Sequence, residues 1–515
     1  MTRRAVFRIL GALLIAAPLS GPPAPDARAA KMSKEKKLAI DWLGRPDVFE
    51  KFGNISDAIW SYAELGFQEF RSSKLLADTL EEAGFKVERG AAGMPTCFVA
   101  SFGAGKPVIG LLGEFDALPM ISQKGRAIKR EPIVEGAPGH GCGHNMMGTA
   151  AAAAAVAVKE AMAKFGIPGT IKVFGSPAEE IVASRPHMIR AGLFKDVDAV
   201  IDNHRGAGFW TRYGLNGNAL YSVIFSFRGK TSHAAGAPWT GRSALDGVEI
   251  MNVAANFLRE HLPPSHRLQY VVLEGGQAPN VVPDTAKVWY YIRDTDENLP
   301  EMYERVVNCA KAGALASGGE LESVRVIGAV HQSHNNEAAA RLIQTNIELV
   351  GMPAWTAEEQ AFARALQKEL KVEEKGLPKE VQKLKEPAKT EADIDRGSSD
   401  VGDVTLIAPT AGVIFPGQVP GAIGHHWSSV SCNFGSAAWK GMNAGAKAIA
   451  ATAVDLLTRP QELKKLRDEF EKYAENHPYK PFLPVDARPP LDLNEELMKK
   501  YRALMEKAEH GPGAD

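Results

Sequence analysis

Four cysteines in 515 residues are too few for a disulfide framework. Cys97, Cys142, Cys309 and Cys432 are far apart in the chain, so the fold must rest on an apolar core rather than on cross-links. The chain has no P-loop and no internal repeat, which excludes a nucleotide-cradling loop of that kind and a solenoid. Charge of one sign is also missing. A formal net charge of -1 gives no general attraction to nucleic acid or to an anionic membrane. What is present is ordinary for a soluble protein of more than one domain, with 45% hydrophobic and 23% charged residues.

The first thirty residues read as a processing segment. Arg3, Arg4 and Arg8 precede the apolar run Ile9 to Leu19, and Ala27-Arg28-Ala29 offers a small-x-small cleavage site. This is the layout of a secretory signal peptide, with a run too short for a stable membrane anchor. The expectation is export to the periplasm or beyond, by the general route or, as the pair Arg3-Arg4 faintly suggests, by twin-arginine export.

Beyond it, Lys34 to Leu80 has helical apolar spacing. Val108 to Leu112, Thr170 to Ser176 and Ala199 to Asn203 are short apolar runs expected to form buried strands. Each runs into candidate metal-binding or acid/base residues: Glu114-Phe115-Asp116, Glu179-Glu180 and His204. In open α/β sheets ligands bind at the carboxyl ends of the strands. The mostly alanine and valine stretch Thr149 to Phe165 predicts a helix buried against such a sheet. From Leu220 the texture changes to alternating strands (220–228, 269–273, 288–293, 323–330) with a helix at 244–258, the pattern of a small α+β insert. Helical spacing returns at Asn336 and over 360–375, an exposed excursion is expected over 377–396, and a strand near 411–415 and a helix over 437–457 close the body. The fold class expected is α/β: a catalytic α/β/α domain with a mixed central sheet (31–218 and 334–458), interrupted by a smaller α+β dimerisation or lid domain (219–333), with a surface tail over 459–515.

His140-Gly141-Cys142-Gly143-His144-Asn145 is the stretch around which the chain is organised. Glycines let the backbone turn tightly enough to aim a thiol and two imidazoles at one point, and these groups suit zinc and related ions. A buried free cysteine is more often core filler than ligand, so the weight lies on partners supplied elsewhere. Glu179 and Glu180 leave a buried strand in different directions, so one carboxylate can hold a metal while the other works on the substrate water as general base and then acid. Cys142, His144, Glu180, His204 and His425 together make five donors, enough for two divalent ions. The thiol favours zinc, with manganese or cobalt as alternatives.

GHGCGHN (139–145), SPAEE (176–180), Asn203-His204, SHAAGAPWTGRSALD (232–246), GGQAPNVVPD (275–284) and SSDVGDV (398–404) occur in this order. So arranged, they closely resemble the metal-dependent aminoacylase and carboxypeptidase superfamily, and within it the p-aminobenzoyl-glutamate hydrolase branch of the B type. The resemblance runs from about Ile40 to Leu457. It implies hydrolysis of an amide joining an acyl or aryl group to an amino acid. It assigns Cys142, His144, Glu180, His204 and His425 as metal ligands and Glu179 as general base and acid. It also makes His233 an oxyanion donor reaching the neighbouring subunit's site in a homodimer, and Asn280 and Arg293 a polar pair for the substrate carboxylate. A fold-holding salt bridge is the plainer role for Arg293. Two departures stand out. Asn145 replaces the aspartate of many relatives and is expected to alter the tuning of His144. The pair His425-His426 leaves the last ligand open, with His425 preferred. Two other classes compete with the amidohydrolase reading: an exported binding protein on the same fold, and an enzyme with Cys142 as nucleophile.

Overall fold

The computed structural model describes residues 32–389 and 394–509, and the segment expected to be a signal peptide lies outside them. The described residues open with three helices, α1 (Lys34–Leu43), α2 (Pro46–Tyr62) and α3 (Phe70–Glu82). The residue before a proline is driven out of the helical region, so the helical run that starts at Lys34 breaks at Gly44-Arg45 and Pro46 restarts it as the first residue of α2. Then follow β1 (Lys86–Arg89), β2 (Phe98–Ala104), β3 (Val108–Glu114), α4 (His144–Phe165), β4 (Gly169–Ser176), α5 (Arg185–Arg190) and β5 (Ala199–Gly206). A short β6 (Gly214–Asn216) leads into the insert: β7 (Ala219–Arg228), α6 (Ala244–Leu258), β8 (Arg267–Glu274), β9 (Thr285–Asp294), α7 (Leu299–Ser317) and β10 (Glu320–Val330). The chain returns through β11 (Ser333–Asn335) to α8 (Glu337–Val350), α9 (Ala357–Glu369), α10 (Val401–Thr405), β12 (Thr410–Pro416), α11 (Trp427–Cys432) and α12 (Ser436–Thr458). Helices α13 (Pro460–Ala474) and α14 (Glu495–Glu509) end the described chain.

The central sheet has the order β1-β2-β4-β3-β5-β12. Strands β4, β3, β5 and β12 are parallel, whereas β2 runs antiparallel to both β4 and β1. It is therefore mixed, and its parallel strands share one carboxyl edge. Val108–Glu114 is buried throughout, as a strand covered on both faces requires. Helices α4 and α12, rich in alanine, pack against each other and against this sheet. The second sheet, β10-β7-β9-β8, is antiparallel, with α6 and α7 packed on it around a core of its own.

Several elements differ from the sequence expectations. Helix α4 begins at His144, five residues before Thr149, because Gly143 adopts the left-handed conformation (φ 85) and starts the helix there. Gly148 lets it seat close: a Cβ at that position would stand 2.6 Å from the Glu114 carbonyl oxygen. His204 lies within β5, not after it. Helix α7 is an addition to the expected elements, although Met302, Val306, Val307, Ala310 and Ala314 recur at helical spacing and are buried. The excursion after Leu377 is partly tied down: Gln382 and Lys385 donate main-chain bonds to Phe209 and Thr211. Two strands form the connection between the sheets, β6 pairing antiparallel with β11. The tail crosses this hinge. Tyr479 donates to Asp403, Phe482 stacks on His331 with centroids 4.0 Å apart, and Asp492 pairs with Arg325 of β10.

Candidate metal centre

The carboxyl edge of the parallel strands opens into a cavity of about 560 Å³. Cys142, Glu179, Glu180, His204, His425 and Arg293 all line it. His144 is fully buried beneath, at the start of α4.

Asp116 organises this floor. One of its oxygens lies 2.7 Å from His144 Nδ1, and the other accepts the Glu180 main-chain N–H at 2.9 Å. The imidazole is thereby turned so that Nε2 faces Glu114 Oε2 at 3.3 Å, Glu179 Oε2 at 3.8 Å and Glu180 Oε1 at 3.9 Å. His204 Nε2 lies 3.3 Å from the Cys142 sulfur, and its Nδ1 lies 2.7 Å from the Arg205 carbonyl. A ring N–H on that carbonyl leaves the Nε2 lone pair for a metal. His425 Nε2 stands 3.4 Å from Glu180 Oε2. His426 instead accepts from the Ser428 N–H and caps α11, so only His425 is turned to Glu180.

Donor atoms gather in three groups, each within 4.8 Å: Cys142, His144 and His204; Cys142, Glu180 and His425; Glu114, His144 and Glu179. The thiol is common to the first two. Buried His144 Nε2 and Glu180 Oε1 have no hydrogen-bond partner among the described residues, although buried polar atoms are nearly always paired. Zinc bond lengths to nitrogen, oxygen and sulfur imply donor–donor edges of about 3.5 Å in a tetrahedron, close to the spacings in this cluster. The residues present therefore fit borderline divalent ions.

The charges point the same way. Burial pushes the Cys142 thiol up to about 11, with Glu180 adding to the effect. Burial, then Asp116 and Glu114, hold Glu180 at about 8 against the opposing pull of His144. Glu179 is raised well above the usual carboxylate range by burial and by Glu114. Burial alone would lower His144, but Cys142, Asp116 and Glu114 around it raise it instead. Burial keeps His204 neutral down to about 3 and His425 down to about 4. An acid-rich pocket in which the imidazoles of His204 and His425 are neutral is poised to exchange protons for a metal's positive charge.

Backbone strain supports the same residues. Glu179–Ile181 form a single tight turn between Ala178 (φ 57) and Val182 (φ 52), and His425 has φ 54. Left-handed conformations are costly for such residues and persist only where the surroundings impose them. Buried Glu69 supplies one restraint, accepting the Ala178 N–H and the Thr96 hydroxyl, each at 2.8 Å.

Several groups found here carry no role in the sequence motifs. Glu114 and Asp116 read from the chain as candidate metal-binding or acid/base residues at a strand end, without an assigned role. Fully buried Arg185 joins Glu114 to Asp400 of the SSDVGDV stretch. Tyr291 donates to the Glu180 carbonyl at 3.1 Å, tying the insert to the floor. The available signal was charge amid apolar neighbours, as at Arg185. The Asn145 expectation is corrected: its amide donates to Ser56 Oγ at 3.0 Å and to the Asn433 carbonyl at 2.9 Å, away from His144, whose partner is Asp116.

The insert residues divide. Among the described residues Arg293 has no salt-bridge partner; it lines the cavity beside the Tyr291 ring, with Nε buried and unpaired. His233 and Asn280 are exposed on neighbouring strands of a loop, where Ala234 donates to the Asn280 carbonyl, and neither lines the cavity of its own chain. The structure therefore does not bring Asn280 to Arg293 within one chain.

A mixed α/β sheet with this donor set at its carboxyl edge, beside a smaller antiparallel unit, defines a class of metallopeptidase-type hydrolases. The chain belongs to the peptidase family M20/M25/M40, whose model matches residues 110–394. It is 35% identical over 463 residues to the B-type subunit of p-aminobenzoyl-glutamate hydrolase from Escherichia coli, covering 85% of this chain and 96% of that one. It is 27% identical over 465 residues to the Xaa-Arg dipeptidase of Mus musculus, covering 86% and 94%. A solved Bacillus subtilis structure, described as a dinuclear metal binding peptidase, shares the fold with a TM-score of 0.50 and 18% identity, covering 81% of this chain and 100% of that one.

Proposed function

We propose that this chain hydrolyses the amide bond of an N-acyl or N-aroyl amino acid, a p-aminobenzoyl-glutamate-like conjugate or a dipeptide, with Glu179 as general base and acid. The observation that carries the reading is the meeting of Cys142, His144, Glu180, His204 and His425 around unpaired buried atoms, with Glu179 free beside them. These five residues would hold two divalent ions, zinc first by virtue of the thiol, with manganese or cobalt as alternatives. Bound there, such ions polarise a carbonyl and acidify a water.

The remaining steps belong to the chain's own groups. A Glu179 carboxylate oxygen takes the proton of the attacking water and delivers it to the leaving amine nitrogen, a transfer suited to a carboxyl whose affinity for protons is raised. The Arg293 guanidinium meets the substrate carboxylate with its planar fork. Trp289 and Tyr291 line the same wall of the cavity and offer aromatic surface to an aryl group.

His233 lies outside its own cavity, so the reading includes a homodimer in which it steadies the oxyanion of the neighbouring site. In support, Tyr270, Val271, Val272 and Leu273 are exposed on edge strand β8, and Val253 and Phe257 are exposed on α6. An exposed apolar edge is a ready pairing surface. The unit from 219 to 333 is accordingly proposed as the dimerisation domain, and export with removal of residues 1–30 as the route to a periplasmic amide substrate.

The test is elemental analysis of the mature protein, paired with a screen of N-acyl and N-aroyl amino acids before and after chelation. About two ions per chain with chelator-sensitive cleavage is the expected result. A stable protein with neither metal nor hydrolysis would overturn the reading in favour of a binding protein. Cleavage that survives complete chelation would favour Cys142 as nucleophile.

A further inference from the structure

Arg205 follows His204 on β5 and carries its charge into the protein with no acid to meet it. The residue is only 4% exposed. Its Nε donates to the Cys142 carbonyl at 2.6 Å, and its Nη2 donates to the Gly141 carbonyl and to Ser429 Oγ, each at 2.5 Å. Among the described residues these acceptors are all neutral, and no carboxylate forms an ion pair with it. Burying a guanidinium without a carboxylate is costly, so a fold that keeps one there gains something from where its N–H groups point.

Each acceptor sits on or just after a turn that carries a candidate metal donor. Gly141 and Cys142 form the turn that presents the thiol. Ser429 lies on α11, four residues after His425. The Arg205 carbonyl, in turn, faces His204 Nδ1 at 2.7 Å. Gly143 makes room for the stem, since a Cβ there would lie 2.6 Å from both Cγ and Nε of Arg205. One residue thus joins two separate pieces of chain to its own strand.

We propose that Arg205 is a positioning residue that sets Cys142, His204 and His425 relative to one another, so that the donors are arranged before a metal arrives. The inference rests on the metal reading of the site. A planar guanidinium serves several acceptors in fixed directions, which an ammonium cannot. Among the described residues, the bond to Ser429 is the one side-chain hydrogen bond Arg205 makes on the His425 side, so the two halves of the clamp can be separated by substitution.

The experiment compares wild type with Arg205→Met, Arg205→Lys and Ser429→Ala. It measures zinc affinity by competition with a chromophoric chelator, and hydrogen exchange of the amides of 141–145 and 426–430. Arg205→Met should bind zinc about 10–100-fold more weakly, the range found when groups supporting a ligand are removed. Exchange should rise in both segments and stay unchanged in β7 and β9. Arg205→Lys should recover only part of the affinity. Ser429→Ala should raise exchange in 426–430 alone with a smaller loss of affinity. Wild-type affinity and wild-type exchange in Arg205→Met would overturn the proposal. If that variant does not fold, an unchanged Ser429→Ala protein overturns it. If wild type itself binds no zinc, the metal reading fails, while faster exchange of both segments in Arg205→Met would still establish the clamp.

Discussion

The two walls of the cavity are built in opposite ways. On the floor, at the carboxyl edge of the central sheet, Asp116, Glu69, Arg185 and Arg205 are buried and each holds a neighbouring group in place. On the wall from the insert, Arg293 has an unpaired Nε, and His233 and Asn280 stand exposed outside the cavity. The floor is complete within one chain. The insert hangs on a two-stranded hinge, is clasped by the tail at Arg325 and Asp492, and carries two groups, His233 and Asn280, that stand outside the cavity of their own chain. Rigid preorganisation suits groups that hold ions and move protons. Groups that meet a substrate arriving from solvent can be supplied by a second body that closes on it.

The largest effect that would sharpen this contrast is at Glu179. Glu179→Ala should retain its metal and lose about 10³-fold in kcat, within the range of a general acid–base group; turnover at the wild-type level would remove its assigned role. Cys142→Ala should lose metal and activity together, and a fully metallated variant would count against ligation by the thiol.

The division between the walls predicts complementation. His233→Ala should be inactive with its metal intact, and mixing it with Glu179→Ala under conditions that exchange protomers should restore activity. In the hybrid, one site has both a base and a partner's histidine. No recovery on mixing, or full activity of a monomer made by Phe257→Asp, would break the comparison by returning His233 to a structural role.

Within the floor, Asp116→Asn should cost about 10–100-fold in metal affinity. Asn145→Asp should leave that affinity near normal but destabilise the fold by about 1–3 kcal/mol, because a carboxylate cannot donate to the Ser56 and Asn433 carbonyls. Chemical denaturation and chelator competition measure the two separately.

The smallest effect is in pH. Metal binding needs deprotonated ligands. Without metal, Glu180, held at about 8, Cys142, held at about 11, and His144, raised against burial by Cys142, Asp116 and Glu114, carry protons at neutral pH, whereas His204 and His425 are already neutral above about 4. Zinc binding should therefore release protons, and affinity should rise with pH from about 6 to about 8. Calorimetry in buffers of different ionisation enthalpy checks the sign; proton uptake would contradict this distribution of charge.

Much of this molecule was legible in the chain because its elements are locally encoded. The runs at Val108, Thr170 and Ala199 are apolar without interruption, and a strand buried on both faces can hardly read otherwise. The helix over Ala244–Leu258 falls at the residues expected, with Ser243 capping it. What escaped was set by neighbours. Strands β1 and β2 begin or end in exposed positions, so their pattern is weak. The true start of α4 depends on the left-handed Gly143 and on the space that Gly148 leaves against β3, neither of which periodicity reports.

The sequence by itself determined the family, the α/β plan with its insert, and the kinds of side chain available for chemistry, since motif order and apolar pattern are properties of the chain. Only the tertiary structure decided which groups meet. It aimed His144 with Asp116 rather than Asn145, turned His425 rather than His426 toward Glu180, and set Arg293 in the cavity apart from Asn280. The physical reason is that a ligand's direction is fixed by hydrogen bonds from residues distant in sequence. Spacing along the chain names the donors, and only packing aims them.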